Sequence, residues 1–107
     1  MLVPVSTEQT PEAPAPFTIT QDALSRAIIE LNSMSPCDGI VMTREGEVKC
    51  GYAAEDSTLC MLIPAPVLAR QLTAAGLSSY TGKELKKWAE GYDAAPLQAV
   101  VDAAQAR

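Results

Sequence analysis

Residues 39–63 constrain the fold more than any other stretch, because β-prone runs there flank a short polar turn. The runs at residues 39–43 and 47–52 are separated by residues 44–46, which end in glycine. Glycine at the end of a three-residue loop is typical of a type I turn followed by a bulge, since that position needs a left-handed backbone. We therefore predict a β-hairpin here, followed by a third strand at residues 57–63.

The register of this hairpin can be predicted from the side chains that each alternative places together. A two-residue loop would place Met42 opposite Lys49 and bring a charge onto the apolar face. A three-residue loop places Met42 opposite Val48 and Ile40 opposite Cys50, so that one face is apolar. Burial selects strongly against a slip of one residue, because such a slip moves every side chain to the other face. We expect the three-residue loop.

The third strand has no alternation of apolar and polar residues. Its run Leu59–Ile63 is apolar throughout, which is typical of a strand covered on both faces. In the simplest up-and-down order of three strands it lies at an edge, where an apolar strand invites pairing. We expect Leu59, Met61 and Leu62 to form the edge of a homodimer, and covering by the N-terminal arm is the alternative.

The segment before the sheet divides into an arm and a helix. Residues 1–16 contain four prolines among polar residues, a composition typical of a flexible arm. Residues 17–107 are expected to form a single compact domain. Its first helix is predicted to begin after Thr20, a good N-cap, with Ile19 and Leu24 as a hydrophobic staple.

Three short helices are predicted after the sheet. They begin near Pro66, Thr81 and Pro96, because proline suits the first helical turn and Thr81 opens a capping-box pattern. The last helix has an apolar stripe at helical spacing, formed by Leu97, Val100, Val101 and Ala104. The predicted fold class is therefore α+β, with an N-terminal helix, a three-stranded antiparallel sheet at about 39–63, and three short C-terminal helices.

Composition excludes several classes of function. The chain has 107 residues, with 8 Lys and Arg against 13 Asp and Glu. This acidic balance argues against nucleic-acid binding, which needs a basic surface. No apolar run approaches the length of a membrane span, and the first residues lack the basic and apolar parts of a signal peptide. We expect a cytoplasmic protein without a nucleic-acid or membrane partner.

The residues that usually carry catalysis are also scarce. The sequence has no histidine, which removes the usual general base and the commonest transition-metal ligand. It has no phosphate-binding glycine loop and no calcium loop, so no metal or cofactor is expected. Cys37, Cys50 and Cys60 lack C-x-x-C spacing and are expected to be reduced thiols. A thiol enzyme that uses Cys37 is the least favoured hypothesis, since a reactive thiolate needs nearby positive charge.

The favoured hypothesis is a non-enzymatic protein-interaction module, such as a regulator, an inhibitor or an accessory subunit. A compact acidic protein of this kind would also suit an inhibitor that a phage or mobile element carries. Lys83, Lys86 and Lys87 share one helical face and could contact an acidic partner protein, although such a face is more often simply solvated.

The alternative hypothesis is a small-ligand-binding domain with a pocket between the sheet and the C-terminal helices. Its candidate lining residues are aromatic: Tyr52, Tyr80, Trp88 and Tyr92. The spacing of Trp88 and Tyr92 with Leu85 also fits an ordinary core position, which we regard as the stronger interpretation of those two residues.

Overall fold

The computed structural model describes residues 16–33, 37–77 and 82–107, and all structural statements below concern these residues. The predicted flexible arm at residues 1–16 therefore lies outside the described residues, except for Pro16. The helices and strands, in chain order, are α1 (Gln21–Ser33), β1 (Gly39–Thr43), β2 (Val48–Gly51), β3 (Thr58–Pro64), α2 (Ala65–Ala74), α3 (Gly82–Glu90) and α4 (Ala95–Ala106). This order confirms the predicted α+β class.

The hairpin of β1 and β2 has the predicted three-residue loop. Ile40 lies opposite Cys50 and Met42 lies opposite Val48, so these four side chains share one face of the sheet. Gly46 has a φ of 90°, the left-handed conformation that the bulge position requires. The register is therefore set by burial of one face together with the backbone freedom of a single glycine.

The third strand is an edge strand, but its neighbour differs from the simplest order. The strand order is β2-β1-β3, so β1 is central and β3 pairs with β1 instead of β2. Both outer strands are antiparallel to β1, and they therefore run parallel to each other. The up-and-down order expected from the sequence is wrong, because the connection at residues 52–57 crosses the sheet before β3 begins.

This crossing loop is held against the sheet by hydrogen bonds at both ends. The backbone N–H of Ala53 donates to Oδ2 of Asp38 over 3.0 Å. Oγ1 of Thr58 donates to the carbonyl oxygen of Tyr52 over 2.8 Å. Val41 points to the side of the sheet away from the helices and is nevertheless only 1% exposed. We infer that the loop crosses on this side and covers it.

The other face of the sheet forms the core with the helices. Helix α1 packs on β1 and β2 and also contacts α3, while α4 packs on β3. Oγ1 of Thr20 accepts a hydrogen bond from the N–H of Ala23 over 3.2 Å, which confirms the predicted N-cap. The predicted buried side of α1 is also confirmed, with Leu24, Ala27, Ile28 and Leu31 all buried.

The C-terminal helices follow the sequence pattern with one exception. Helix α2 ends at a Schellman motif, in which the N–H of Leu77 donates to the carbonyl oxygen of Leu72 over 2.8 Å. Pro66 lies in the first turn of α2, whereas Thr81 lies outside the described residues. In α4 the predicted stripe is buried except for Val100, which is 41% exposed because it lies to one side of the surface that packs on β3.

Candidate functional site

A groove of about 790 Å³ lies between the end of α2, helix α3 and the segment that joins α3 to α4. Its apolar lining is formed by Leu77, Trp88, Tyr92 and Pro96, and its polar lining includes Gln71, Glu84, Lys87 and Asp93. The groove therefore combines an aromatic wall with a rim of both charges. This composition is common in sites that bind an apolar group and orient it by polar contacts.

Helix geometry explains the aromatic wall. Leu85 and Ala89 are buried on the inner side of α3, and Trp88 lies beside them at the boundary between core and solvent. The helix ends at Glu90, and Tyr92 follows with its ring 5.4 Å from that of Trp88 at an interplanar angle of 77°. Edge-to-face contacts of this kind stabilise an aromatic pair.

The position of Tyr92 is fixed by hydrogen bonds to two other helices. Its hydroxyl donates to Oε1 of Gln71 in α2 over 2.8 Å. Its carbonyl oxygen accepts from Nε2 of Gln21 in α1 over 2.7 Å. The indole N–H of Trp88, in contrast, has no hydrogen-bond acceptor among the described residues. Hydrogen bonds thus hold the wall at Tyr92.

The aromatic residues expected in a ligand pocket are only partly brought together. The rings of Trp88 and Tyr92 are in contact. Both residues are half-buried, whereas the sequence favoured an ordinary core position for them. Tyr52 lies in the crossing loop, is 41% exposed and takes no part in the groove. Tyr80 lies outside the described residues. The groove is also formed between helices, and not between the sheet and the helices.

The three lysines of α3 are exposed and share one helical face by their spacing, but they differ in their contacts. Nζ of Lys86 lies 2.7 Å from Oε2 of Glu90, and this hydrogen bond raises the pKa of Lys86 above its ordinary value. Lys87 lines the groove, whereas Lys83 is exposed one helical turn before it. Only Lys87 is therefore part of the candidate site.

The three cysteines lie at separate positions and differ in their contacts. Cys37, Cys50 and Cys60 form no disulfide, and each is partly buried. Sγ of Cys37 donates to the carbonyl oxygen of Gly39 over 3.5 Å. Burial raises the pKa of the Cys60 thiol, and the positive charge of Arg107 offsets this only in part. A raised pKa leaves less thiolate at neutral pH, so Cys60 is a poor candidate for a nucleophile.

Sequence reasoning missed the wall of the groove that α2 provides. Leu77 follows the helix-ending glycine Gly76, and a hydrophobic contact at this position commonly accompanies a Schellman motif. That signal could have identified Leu77, whereas nothing in the sequence connects Gln71 with Tyr92.

A metal-binding cluster and a membrane-spanning helix are both absent from the described residues. These residues contain no group of three or more His, Cys, Asp or Glu residues placed to hold a metal ion. None of their helices is long and apolar enough to cross a membrane. Comparison of the chain with protein-family models, with curated proteins and with solved structures found no match.

Proposed function

We propose that the protein is a non-enzymatic interaction module that binds a short apolar segment of another protein in the groove at Trp88 and Tyr92. The observation that carries this proposal is a half-buried aromatic pair, in which hydrogen bonds hold Tyr92, on the wall of a groove of about 790 Å³. Tryptophan and tyrosine supply much of the binding energy in protein interfaces. A wall that is already ordered also reduces the entropy lost on binding.

The rim favours a segment that carries charges beside its apolar anchor. Lys87 and Asp93 line the groove together with the aromatic wall, and each is next in sequence to one of its two rings. Charges at the rim of an interface contribute more to specificity and association rate than to affinity. The three cysteines, which form no disulfide, fit a protein that acts in the cytoplasm, where thiols remain reduced.

The proposal can be tested by comparing which proteins are bound by matched variants. Wild type, Trp88→Ala and the control Tyr52→Ala would be used to capture proteins from the source cells. Tyr52 is a suitable control because it is an exposed aromatic residue outside the groove. We expect a partner that binds wild type and Tyr52→Ala but is lost with Trp88→Ala. Circular dichroism of Trp88→Ala would show that the domain is still folded.

The purified partner then allows a direct measurement in the groove. Trp88 is the only tryptophan of the chain, so its emission reports on this site alone. For a partner segment without tryptophan, we expect a blue shift of Trp88 emission on binding, since the segment excludes water from the indole. A captured partner that binds Trp88→Ala as tightly as wild type would overturn the proposal.

A small apolar ligand is the second candidate occupant, because the volume of the groove lies within the range of small-molecule sites. A thermal-shift screen of apolar aromatic compounds against wild type and Trp88→Ala distinguishes the two. Stabilisation of wild type alone by one compound class would favour the ligand. Its absence, together with Trp88-dependent capture of a protein, would favour the partner segment.

A further inference from the structure

Among the described residues, no strand pairs with the outer edge of β3. On its inner side β3 pairs with β1, and on its outer side the backbone between Leu59 and Ile63 makes no hydrogen bond with a described residue. The strand is seven residues long and carries no charged side chain. A long, uncharged edge is a template for pairing with another strand.

Helix α4 packs on β3 and forms a second layer beside this edge. Oε1 of Gln105 accepts from the N–H of Phe17 over 2.7 Å, and Oε1 of Gln98 accepts from the N–H of Ile19 over 2.9 Å. These bonds attach one side of α4 to the N-terminal segment, which lies towards the hairpin. Val100 is on the opposite side of the helix by its position in the turn. Since α4 packs on the outermost strand, this opposite side faces beyond the sheet.

The middle of α4 lies beside the middle of β3. Leu59 lines a small cavity together with Ala104 and Arg107, so the C-terminal end of α4 meets the start of β3. From Leu59 to Met61 a strand advances about 7 Å, the rise of four to five helical residues. Counted back along α4, this distance reaches Val100, which is 41% exposed. Met61 is also the central residue of β3.

We propose that β3 pairs antiparallel with β3 of a second copy of this chain, about a twofold axis that passes near Met61 and Val100. The β1–β3 pairing is irregular at Leu59 and at Leu62, so that Cys60 and Met61 form the regular stretch between the two bulges, and the proposed pairing is centred there. A closed twofold arrangement is the commonest symmetry of protein oligomers. The proposal goes beyond the groove and does not depend on its occupant.

Charges at the two ends of α4 are complementary in this arrangement. The twofold axis sets α4 of one copy antiparallel to α4 of the other, so each C-terminus lies beside an N-terminus and the helix dipoles attract. Arg107 at the C-terminal end then approaches the end of the second helix that is preceded by Asp93. An uncharged centre between complementary ends favours a second copy as the occupant.

The size of the surface predicts how tightly the copies associate. A seven-residue strand is about 24 Å long. The sheet layer and the helix layer, at about 10 Å each, give the face a height of about 20 Å and therefore an area of roughly 500 Å² per copy. Stable interfaces bury about 800 Å² per partner, and smaller ones belong to weak complexes. We therefore expect a dimer that dissociates in the micromolar range.

Sedimentation velocity across the micromolar range tests the proposal. We expect the wild-type sedimentation coefficient to rise with concentration towards that of a dimer. Val100→Lys should remain monomeric, whereas the control Tyr52→Lys, whose side chain has the same 41% exposure, should dimerise like wild type. Met61→Lys gives an independent second variant on the strand itself and should also remain monomeric. Melting temperatures of all variants would confirm that they are folded.

Two results would overturn the proposal. One is a wild-type protein that stays monomeric throughout this concentration range. The other is a dimer in which Val100→Lys and Met61→Lys, both folded, associate as strongly as wild type. Hydrogen exchange provides a direct test of the pairing, since the outer amides of β3 should become protected from exchange as protein concentration rises.

Discussion

The two edges of the sheet differ in how they meet solvent. Lys49 in β2 and Met61 in β3 occupy equivalent positions, because each lies opposite Val41 of the central strand. The β2 edge is four residues long and presents an exposed lysine, whereas the β3 edge is seven residues long and uncharged. Short length and charge are common protections against edge pairing. Length and charge therefore protect the β2 edge but not the described part of β3, whose departures from a regular edge are the irregularities at Leu59 and Leu62.

The edges also differ in how they are attached to β1. The hairpin turn joins β2 to β1 through three residues, so the contacts that hold it are local. β3 is joined through the crossing loop and is held by pairing with β1 and by packing against α4. This difference predicts where a substitution will be tolerated on each side of the sheet.

The largest effect is expected from Gly39→Ala, at the place where β1 approaches the end of β3. A Cβ atom at Gly39 would overlap the carbonyl oxygen of Ile63 and lie 2.9 Å from Cα of Pro64. Both are backbone atoms that cannot move without breaking the pairing. We expect a loss of about 3 kcal/mol in the free energy of unfolding, measured by urea denaturation.

The matched control is Gly51, which lies opposite Gly39 on the β2 side. There the nearest atom to an added Cβ is Cγ2 of Val41, at 2.9 Å. This methyl belongs to a side chain that can adjust, so Gly51→Ala should cost about 1 kcal/mol. Equal losses for the two variants would contradict the idea that the β3 side is the less tolerant one.

An intermediate effect is expected at two threonines that face each other across β1 and β3. Oγ1 of Thr43 accepts hydrogen bonds from the N–H groups of Glu45 and Glu47, over 3.2 Å and 3.0 Å, and so holds the hairpin turn. Oγ1 of Thr58 makes one bond, to Tyr52 in the crossing loop. Each threonine is buried, and valine has nearly the same shape.

Thr43→Val should therefore cost about 2 kcal/mol and Thr58→Val about 1 kcal/mol, at roughly 1 kcal/mol per hydrogen bond lost. Urea denaturation of both variants at the same protein concentration gives the comparison. The reverse order would show that the crossing loop, and not the hairpin turn, is the more strongly held connection.

The sequence predicted the β2 side of the sheet better than the β3 side. Alternation in the hairpin allows only one register that keeps Lys49 out of the apolar face, and the structure has that register. The run Leu59–Ile63 has no alternation, so it indicated an apolar strand without showing which neighbour it pairs with. Strand order here depends on the path of a six-residue connection, which local patterns do not determine.

The candidate site was predictable to the same limited extent. Trp88 and Tyr92 stood out by residue type and by helical spacing, and they do meet. The opposite wall comes from the end of α2, where Gln71 accepts a hydrogen bond from Tyr92. No sequence pattern links these two residues. A groove formed by elements distant in the chain needs tertiary structure to be recognised.

The smallest effect on stability is expected when the two edge residues are exchanged. Lys49 is exposed and Met61 is half-buried, so the double variant Lys49→Met/Met61→Lys should unfold within about 0.5 kcal/mol of wild type. Its association should nevertheless change completely. The charge now stands on β3, while the uncharged β2 edge is only four residues long, so the double variant should be monomeric in sedimentation velocity.

The single variant Lys49→Met completes this test. It leaves β3 unchanged, so it should still dimerise, and it removes the charge that protects the second edge. A molecule with two pairing edges is no longer limited to a closed dimer, because each added copy exposes another edge. We therefore expect species larger than a dimer at high concentration, in small amount because β2 is short. If the double variant dimerises like wild type, charge at these two positions does not control association, and the difference between the edges must act through length alone.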